Sequence, residues 1–454
     1  MLTFHLHNSV SVVSWRVRSY AYYTLTFPAF VCALNYIVWG RLSRVGGGLT
    51  CAFLLAFNLL SHRVASCMVL PACVPWLPWL PYVAGKLRAY AAKPGAPPAP
   101  DSMAAKFTSA LDGMEAWMRR TREGVAAQQE ALAQSPSWHP VALTAPDGVA
   151  TTAWLSGWEG GRTRANGLVL YLGGNGEYAE TSAASVGGQW AGAGYSVLLL
   201  NYRGVSSSGG AATRDGLVLD ALTALTFLLA PREQGGLGLP SHRVTVFGHS
   251  LGGGIGVEAA ALCAYPGFSF CHDRSFGRLT DAAVCLFFPP SLLPEAGAAV
   301  GAGRRLNGAP PAPLPPAQEG DSKAYAVRSA FRLFMRLVVG WELDAVSHWP
   351  HLPPHTKIVI YAPSDGVIKF PASLAAAVSG AGGAAALPSE QAGCLCKMDF
   401  TQDGAMAHNR PLSDSEMGRL KRLLDLAGAD LAAGNVLGTG ARIVEPRKPL
   451  PATW

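Results

Sequence analysis

From Ser137 onward, short runs of nearly unbroken apolar residues alternate with stretches of helical character, and this alternation sets the fold class. The runs are GLVLYL (167–172), YSVLLLNY (195–202), RVTVFGH (243–249), DAAVCLFF (281–288), KIVIYAP (357–363) and CLCKMDF (394–400). A strand that is apolar on both faces must be covered on both, which is the condition of a strand in a parallel sheet. Between the runs lie the helix-like segments Arg214–Ala230, Leu251–Ala264, Phe370–Ser379 and Pro411–Leu426. Ahead of them, VALTAP and GVATTAWL flank Asp147-Gly148, a hairpin turn signal. The expected architecture is an α/β domain over residues 136–430, a hairpin followed by a mostly parallel, doubly wound sheet. Residues 289–350 interrupt the alternation with Gly/Pro-rich sequence and then a helix-like stretch, Tyr325 to Val339. They are expected to form a cap above the carboxyl ends of the strands, where open α/β sheets bind ligands.

The charge distribution isolates a different N-terminal block. The net charge of +7 arises in the first 100 residues, which contain eight Lys or Arg and no Asp or Glu. That excess sits among apolar residues rather than on a polar arm, so a nucleic-acid partner is not expected. Ser19–Gly40 is an uncharged run long enough to cross a bilayer, and Val45–Ser61 is a second, shorter one. A third, Val64–Gly85, carries Pro71, Pro75, Pro78 and Pro81 with Trp76, Trp79 and Tyr82. Prolines at that density remove backbone bonds that lipid cannot replace, so this segment reads as an interfacial collar. Residues 1–92 are therefore expected to anchor the chain to a membrane. Transit peptides are also acid-poor and Arg-bearing, which leaves a cleaved organelle-targeting sequence as the alternative.

Residues 93–135 follow as a stiff linker (KPGAPPAP) and an amphipathic helix from Asp101 to Ala133. Its stripe of Met103, Phe107, Leu111, Met114 and Met118 should pack on the next domain. The nine cysteines lack C-x-x-C spacing and read as free thiols of a reducing compartment, with no metal site suggested. His348, His351 and His355 lie in Pro-rich sequence and read as solvated, and residues 431–454 as a flexible tail.

The chemistry is carried by Gly248-His249-Ser250-Leu251-Gly252. A G-x-S-x-G pattern alone is weak: in so glycine-rich a chain, about one serine in 80 is flanked this way by chance. Here, however, it follows the β-rich RVTVF and opens the helix-compatible LGGGIGVEAAALCA, the context of a nucleophile elbow. A serine hydroxyl needs a base to attack at neutral pH, and the base needs an orienting acid. Asp365, after KIVIYAP, and His408, after the last strand, follow in the order Ser, acid, His. Asp399 and Asp403 are alternative acids but follow the wrong strand. His249 reads as a satisfied neighbour of the nucleophile. Arg203 and Asp220 read as structural ion-pair partners.

With these residues in place, segment 136–428 resembles the α/β-hydrolase-fold serine hydrolases. It is most similar to a membrane-associated, lipase/esterase-like subgroup with an HGN or HGAG-type loop and a downstream D-x-R-G-x-G-x-S motif. The matching stretches are Leu172-Gly173-Gly174-Asn175-Gly176-Glu177, Asn201-Tyr202-Arg203-Gly204-Val205-Ser206-Ser207-Ser208-Gly209, and the HN-x-PL sequence at His408. Two departures stand out. Gly173 replaces the usual loop histidine, altering the shape of the oxyanion loop, and Ser206 replaces the second glycine, relaxing a turn. By position, the resemblance implies that the backbone N–H groups of Asn175 and Leu251 form the oxyanion hole. It implies a Ser250–Asp365–His408 triad that hydrolyses an ester or thioester, a lipid or acyl ester above all, with no metal or cofactor. The same triad serves aminopeptidase-like peptidases, and a non-catalytic membrane-tethered scaffold is the reading outside enzymes.

Overall fold

A computed structural model describes residues 2–5, 67, 69–77, 80–91, 102–287, 326, 329–331, 333, 335, 341–352, 357–379, 394–398 and 405–432. Nine strands form one sheet: β1 (Leu2–His5), β2 (Trp138–Thr144), β3 (Ala150–Ser156), β4 (Leu168–Leu172), β5 (Ser196–Asn201), β6 (Val244–His249), β7 (Ser269–Asp273), β8 (Lys357–Tyr361) and β9 (Cys394–Lys397). Their spatial order is β1-β2-β3-β5-β4-β6-β7-β8-β9. Only β3 runs against its neighbours; every other pair is parallel. The β2–β3 hairpin turns at Asp147-Gly148, as its sequence predicts, with Gly148 at φ 80°. From β2 onward, this mostly parallel sheet with helices on both faces fits the α/β-hydrolase fold.

Alternation along the strands builds two cores. Leu168, Leu170, Leu198, Leu200, Val244 and Val246 face one way, towards α3 (Arg214–Leu229) and α4 (Leu251–Leu262). Val169, Tyr171, Val197, Leu199 and Phe247 face the other, towards Trp190 and α8 (Asp414–Ala432). Both faces are closed, which is why these runs carry so few polar residues.

The structure corrects the strand reading after the elbow. Residues 281–287 of that run are not a strand but belong to helix α5 (Leu279–Phe287), burying Ala282, Val284 and Cys285 while Leu286 faces out. The strand at this position is the more polar SFCHD, whose His272 and Asp273 are fully buried. A short apolar run has no period that separates a buried strand from a buried helical turn. The connection from β7 to β8 is therefore longer than 289–350; most of that segment lies outside the described residues.

Two pieces of the N-terminal region join the α/β domain. Leu2–His5 adds a parallel edge strand to β2, and Phe4 packs on Phe227 with ring centroids 5.6 Å apart. Pro71–Trp76 forms a 3-10 turn: Leu70, Ala72 and Cys73 are buried in the domain core and Trp76 packs against Tyr178. Helix α1 (Leu80–Ala91) follows and is tied to α2 (Met103–Gln134) by Arg88, which pairs with Asp112 and Glu115. Ser102 caps α2 by accepting the Ala105 N–H. The stripe on α2 is split. Leu111 and Met118 are buried and Met114 is half-buried, whereas Met103 is 82% and Phe107 41% exposed. Among the described residues no helix is long and apolar enough to cross a membrane; the expected spans Ser19–Gly40 and Val45–Ser61, the linker 93–100 and the tail after 432 lie outside them.

Candidate active site

Ser250 sits between the end of β6 and the start of α4, at φ 51° and ψ −121°. This conformation is costly for a residue with a side chain, and it persists because its surroundings demand it. Both flanking glycines are dictated by contact. A β-carbon at Gly248 would stand 2.5 Å from the Gly252 carbonyl oxygen, and one at Gly252 would stand 2.0 Å from that of Leu172. Strand, elbow and helix therefore pack backbone to backbone, and the serine hydroxyl is pushed off the sheet edge above the α4 N-terminus.

The structure brings Ser250, His408 and Asp365 together. The Ser250 Oγ lies 2.9 Å from His408 Nε2, and His408 Nδ1 lies 2.8 Å from Asp365 Oδ2. All three are buried. The second carboxylate oxygen of Asp365 accepts the N–H groups of Val367 and Ile368 at 2.8 and 2.9 Å, which locks the acid in place. With the His408 Nδ1–H donated to Asp365, Nε2 is left to accept the serine proton. In such an arrangement an imidazole can take a proton from a serine hydroxyl while a carboxylate holds its tautomer. Asp399 and Asp403 lie outside the described residues, and Asp365 already occupies the position facing the ring.

The loop 173–177 runs beside Ser250. A β-carbon on Gly174 would stand 3.4 Å from Ser250 Cβ, so Asn175, which follows it, belongs to this rim. The Asn175 carbonyl accepts the N–H of Ala72, which fixes the loop from the N-terminal side. Leu251 is the first residue of α4, where an N–H has no partner within the helix. At Gly173 a β-carbon would stand 2.9 Å from the Glu177 carboxylate, the far end of a side chain able to shift. Glu177 fills that space, accepting the Tyr171 hydroxyl at 2.7 Å. Its other oxygen stands 3.7 Å from His249 Nε2.

The departure at Ser206 does not relax its turn. Ser206 keeps the left-handed conformation a glycine would take, at φ 55°. Its hydroxyl donates to Glu180 and accepts from Gln129 of α2, at 2.9 and 2.8 Å. Glu180 also accepts from Trp154 and Asn201, so this buried knot fastens α2 to the sheet. Arg203 is structural, as its sequence suggests, but has two partners rather than one: Asp220, its expected partner, and Asp147 of the hairpin turn. His348 is not solvated; burial lowers its pKa to about 4, while His351 is exposed and His355 lies outside the described residues.

Sequence reasoning missed Asp273 and Arg274, because it missed β7. The His249 Nδ1 lies 2.8 Å from Asp273, and Arg274 grips the same carboxylate through Nε and Nη2 at 2.9 and 2.7 Å. Burial pushes the Asp273 carboxyl up, but the Arg274 guanidinium and the His249 ring outweigh it and hold it well below the usual range.

No family model matches the chain. A stretch of 118 residues, 25% of the chain, is 30% identical to the multifunctional-autoprocessing repeats-in-toxin of Vibrio cholerae and of Vibrio vulnificus; it spans only 2% of those proteins. Among solved structures, the chain is similar to an esterase of Pyrococcus furiosus (15% identity, 65% of this chain and 94% of that one, TM-score 0.40). It is also similar to an alpha-beta hydrolase of Vibrio vulnificus (17%, 67% and 86%, TM-score 0.41). A third similar structure is an esterase/lipase from an uncultured bacterium (16%, 78% and 99%, TM-score 0.36).

Proposed function

We propose that this chain is a serine hydrolase of carboxylic esters or thioesters, with Ser250 as nucleophile, His408 as general base and acid, and Asp365 as the orienting acid. The observation that carries this reading is a strained serine whose Oγ lies 2.9 Å from an imidazole that a fixed carboxylate holds from behind. His408 Nε2 takes the hydroxyl proton as Oγ bonds to the substrate carbonyl carbon. The resulting imidazolium, stabilised by Asp365, returns that proton to the leaving alcohol or thiol. Water then attacks the acyl-enzyme through the same ring and frees the acid. The N–H groups of Asn175 and Leu251 hold the oxyanion; losing one such donor costs about 3–4 kcal/mol of transition-state stabilisation.

The substrate proposed is an acyl lipid or another apolar ester met at a membrane. The uncharged runs Ser19–Gly40 and Val45–Ser61 support this reading. So do the exposed Tyr82 of α1 and Met103, Phe107 and Trp117 of α2, on two helices joined by Arg88. The experiment is pre-steady-state hydrolysis of p-nitrophenyl butyrate by the full chain. A burst of one p-nitrophenol per protein, absent in Ser250→Ala, is expected; no burst from wild type at any acyl length would overturn the assignment in favour of a binding role.

A further inference from the structure

Residues Asp273 and Arg274, at the carboxyl end of β7, touch all three segments that carry the proposed triad. The Asp273 carbonyl accepts the Ser250 N–H at 3.0 Å, and the Arg274 N–H donates to Ile360 of β8, the strand that leads to Asp365, at 2.8 Å. The third contact is made by the Arg274 side chain. Its Nε and Nη2 are fixed on the Asp273 carboxylate, which leaves Nη1 to donate to the carbonyls of Ala407 and Arg410, at 3.2 and 2.5 Å. These carbonyls stand on either side of His408, in and just after α7 (Ala405–Asn409). Arg274 holds a left-handed backbone at φ 45°, a conformation that costs a residue with a β-carbon and persists only where its surroundings hold it.

A buried ion pair is a poor device for stability, because desolvation cancels most of its attraction. What a guanidinium held rigidly at two corners offers instead is a fixed direction for the third. The Asp273 carboxylate is itself steadied by His249, whose ring centroid lies 5.0 Å from that of His408.

We propose that Arg274 is a positioning residue for the general base: it ties the backbone on both sides of His408 to the strand end beside Ser250 and so sets the distance between ring and hydroxyl. This rests on the serine-hydrolase reading above. A lysine at 274 reaches one carbonyl and cannot hold Asp273 with two parallel bonds, so Arg274→Lys keeps the charge and loses the geometry.

The test uses the full chain with Arg274→Lys and Arg274→Ala, read by p-nitrophenyl butyrate turnover, thermal melting and the low-field proton resonance of the His408–Asp365 hydrogen bond. Misplacement by about 1 Å is worth about 100-fold in rate. Both variants are expected to lose about that much kcat with KM within twofold, to shift or broaden the low-field resonance, and, for Arg274→Ala, to regain activity with millimolar methylguanidinium. A folded Arg274→Lys with wild-type kcat and an unchanged resonance would overturn the proposal. So would a loss of kcat that follows the loss of folded protein and is not relieved by methylguanidinium. The resonance needs no turnover, so it decides the role of Arg274 separately from the Ser250→Ala burst, which decides the hydrolase reading.

Discussion

Gly252 and Leu172 approach each other more closely than any residue bearing a side chain would permit, since a β-carbon on Gly252 would stand 2.0 Å from the Leu172 carbonyl oxygen. The obstacle is backbone of a central strand, so α4 must give way. Gly252→Ala is expected to cost at least the roughly 1–3 kcal/mol typical of overpacking. It should lower the melting temperature by several degrees and take ester turnover with it, because the elbow moves with the helix. Wild-type turnover with an unchanged melt would show that the packing at the elbow is looser than described.

Arg203 joins two buried carboxylates, Asp147 at 2.6 Å and Asp220 at 2.8 Å. Removing the cation takes the shared arginine from two carboxylates that sit close together. Arg203→Met is expected to cost about 3–5 kcal/mol, read as a fall in the urea midpoint at unchanged slope. A shift within error would mean that the hairpin opens to water without the arginine.

Much of this arrangement is legible in the sequence, and the illegible part has a physical cause. Ser250, Asp365 and His408 are visible because each follows a strand-like run and their order restricts the fold. β4, β5, β6 and β8 are visible because two-sided burial makes them mostly apolar, with polar residues mainly at their ends. β7 hides because its buried His272 and Asp273 are polar, while the apolar α5 mimics a strand. Asp273 pairs with His249 and Arg274, and nothing in local spacing signals partners brought together by strand pairing. The left-handed turn at Arg274 is hidden too, since nothing in an arginine signals a positive φ. The edge strand Leu2–His5 is too short for a two-residue period to stand out.

Glu258 of α4 pairs with Arg214 and accepts the Asp344 N–H, at the point where the β7–β8 connection returns to the domain. Burial raises its carboxyl to about 7 despite the pull of Arg214. A raised carboxyl pKa contributes stability that is fully present below the unfolded value, near 4.5, and lost as pH rises through about 7. The stability of wild type relative to Glu258→Gln should therefore fall between pH 4.5 and pH 8, measured as paired urea midpoints. Wild-type stability that rises with pH relative to Glu258→Gln would contradict this sign.

Asp365 fixes which nitrogen of His408 carries the proton. Asp365→Asn keeps an oxygen for the Val367 and Ile368 N–H groups but presents an amide to the ring, favouring the wrong tautomer. Turnover should fall about 10⁴-fold while KM and the melting temperature change little. A fall of less than about tenfold would assign the orienting role to another group.

The central claim, that Ser250 is a base-activated nucleophile, is tested most directly by reacting the full-length protein with a fluorophosphonate probe and locating the adduct by peptide mass spectrometry. The account predicts one adduct, on Ser250, at a rate that falls steeply in His408→Ala and to zero in Ser250→Ala. An adduct on another residue, or equal labelling of wild type and Ser250→Ala, would contradict it.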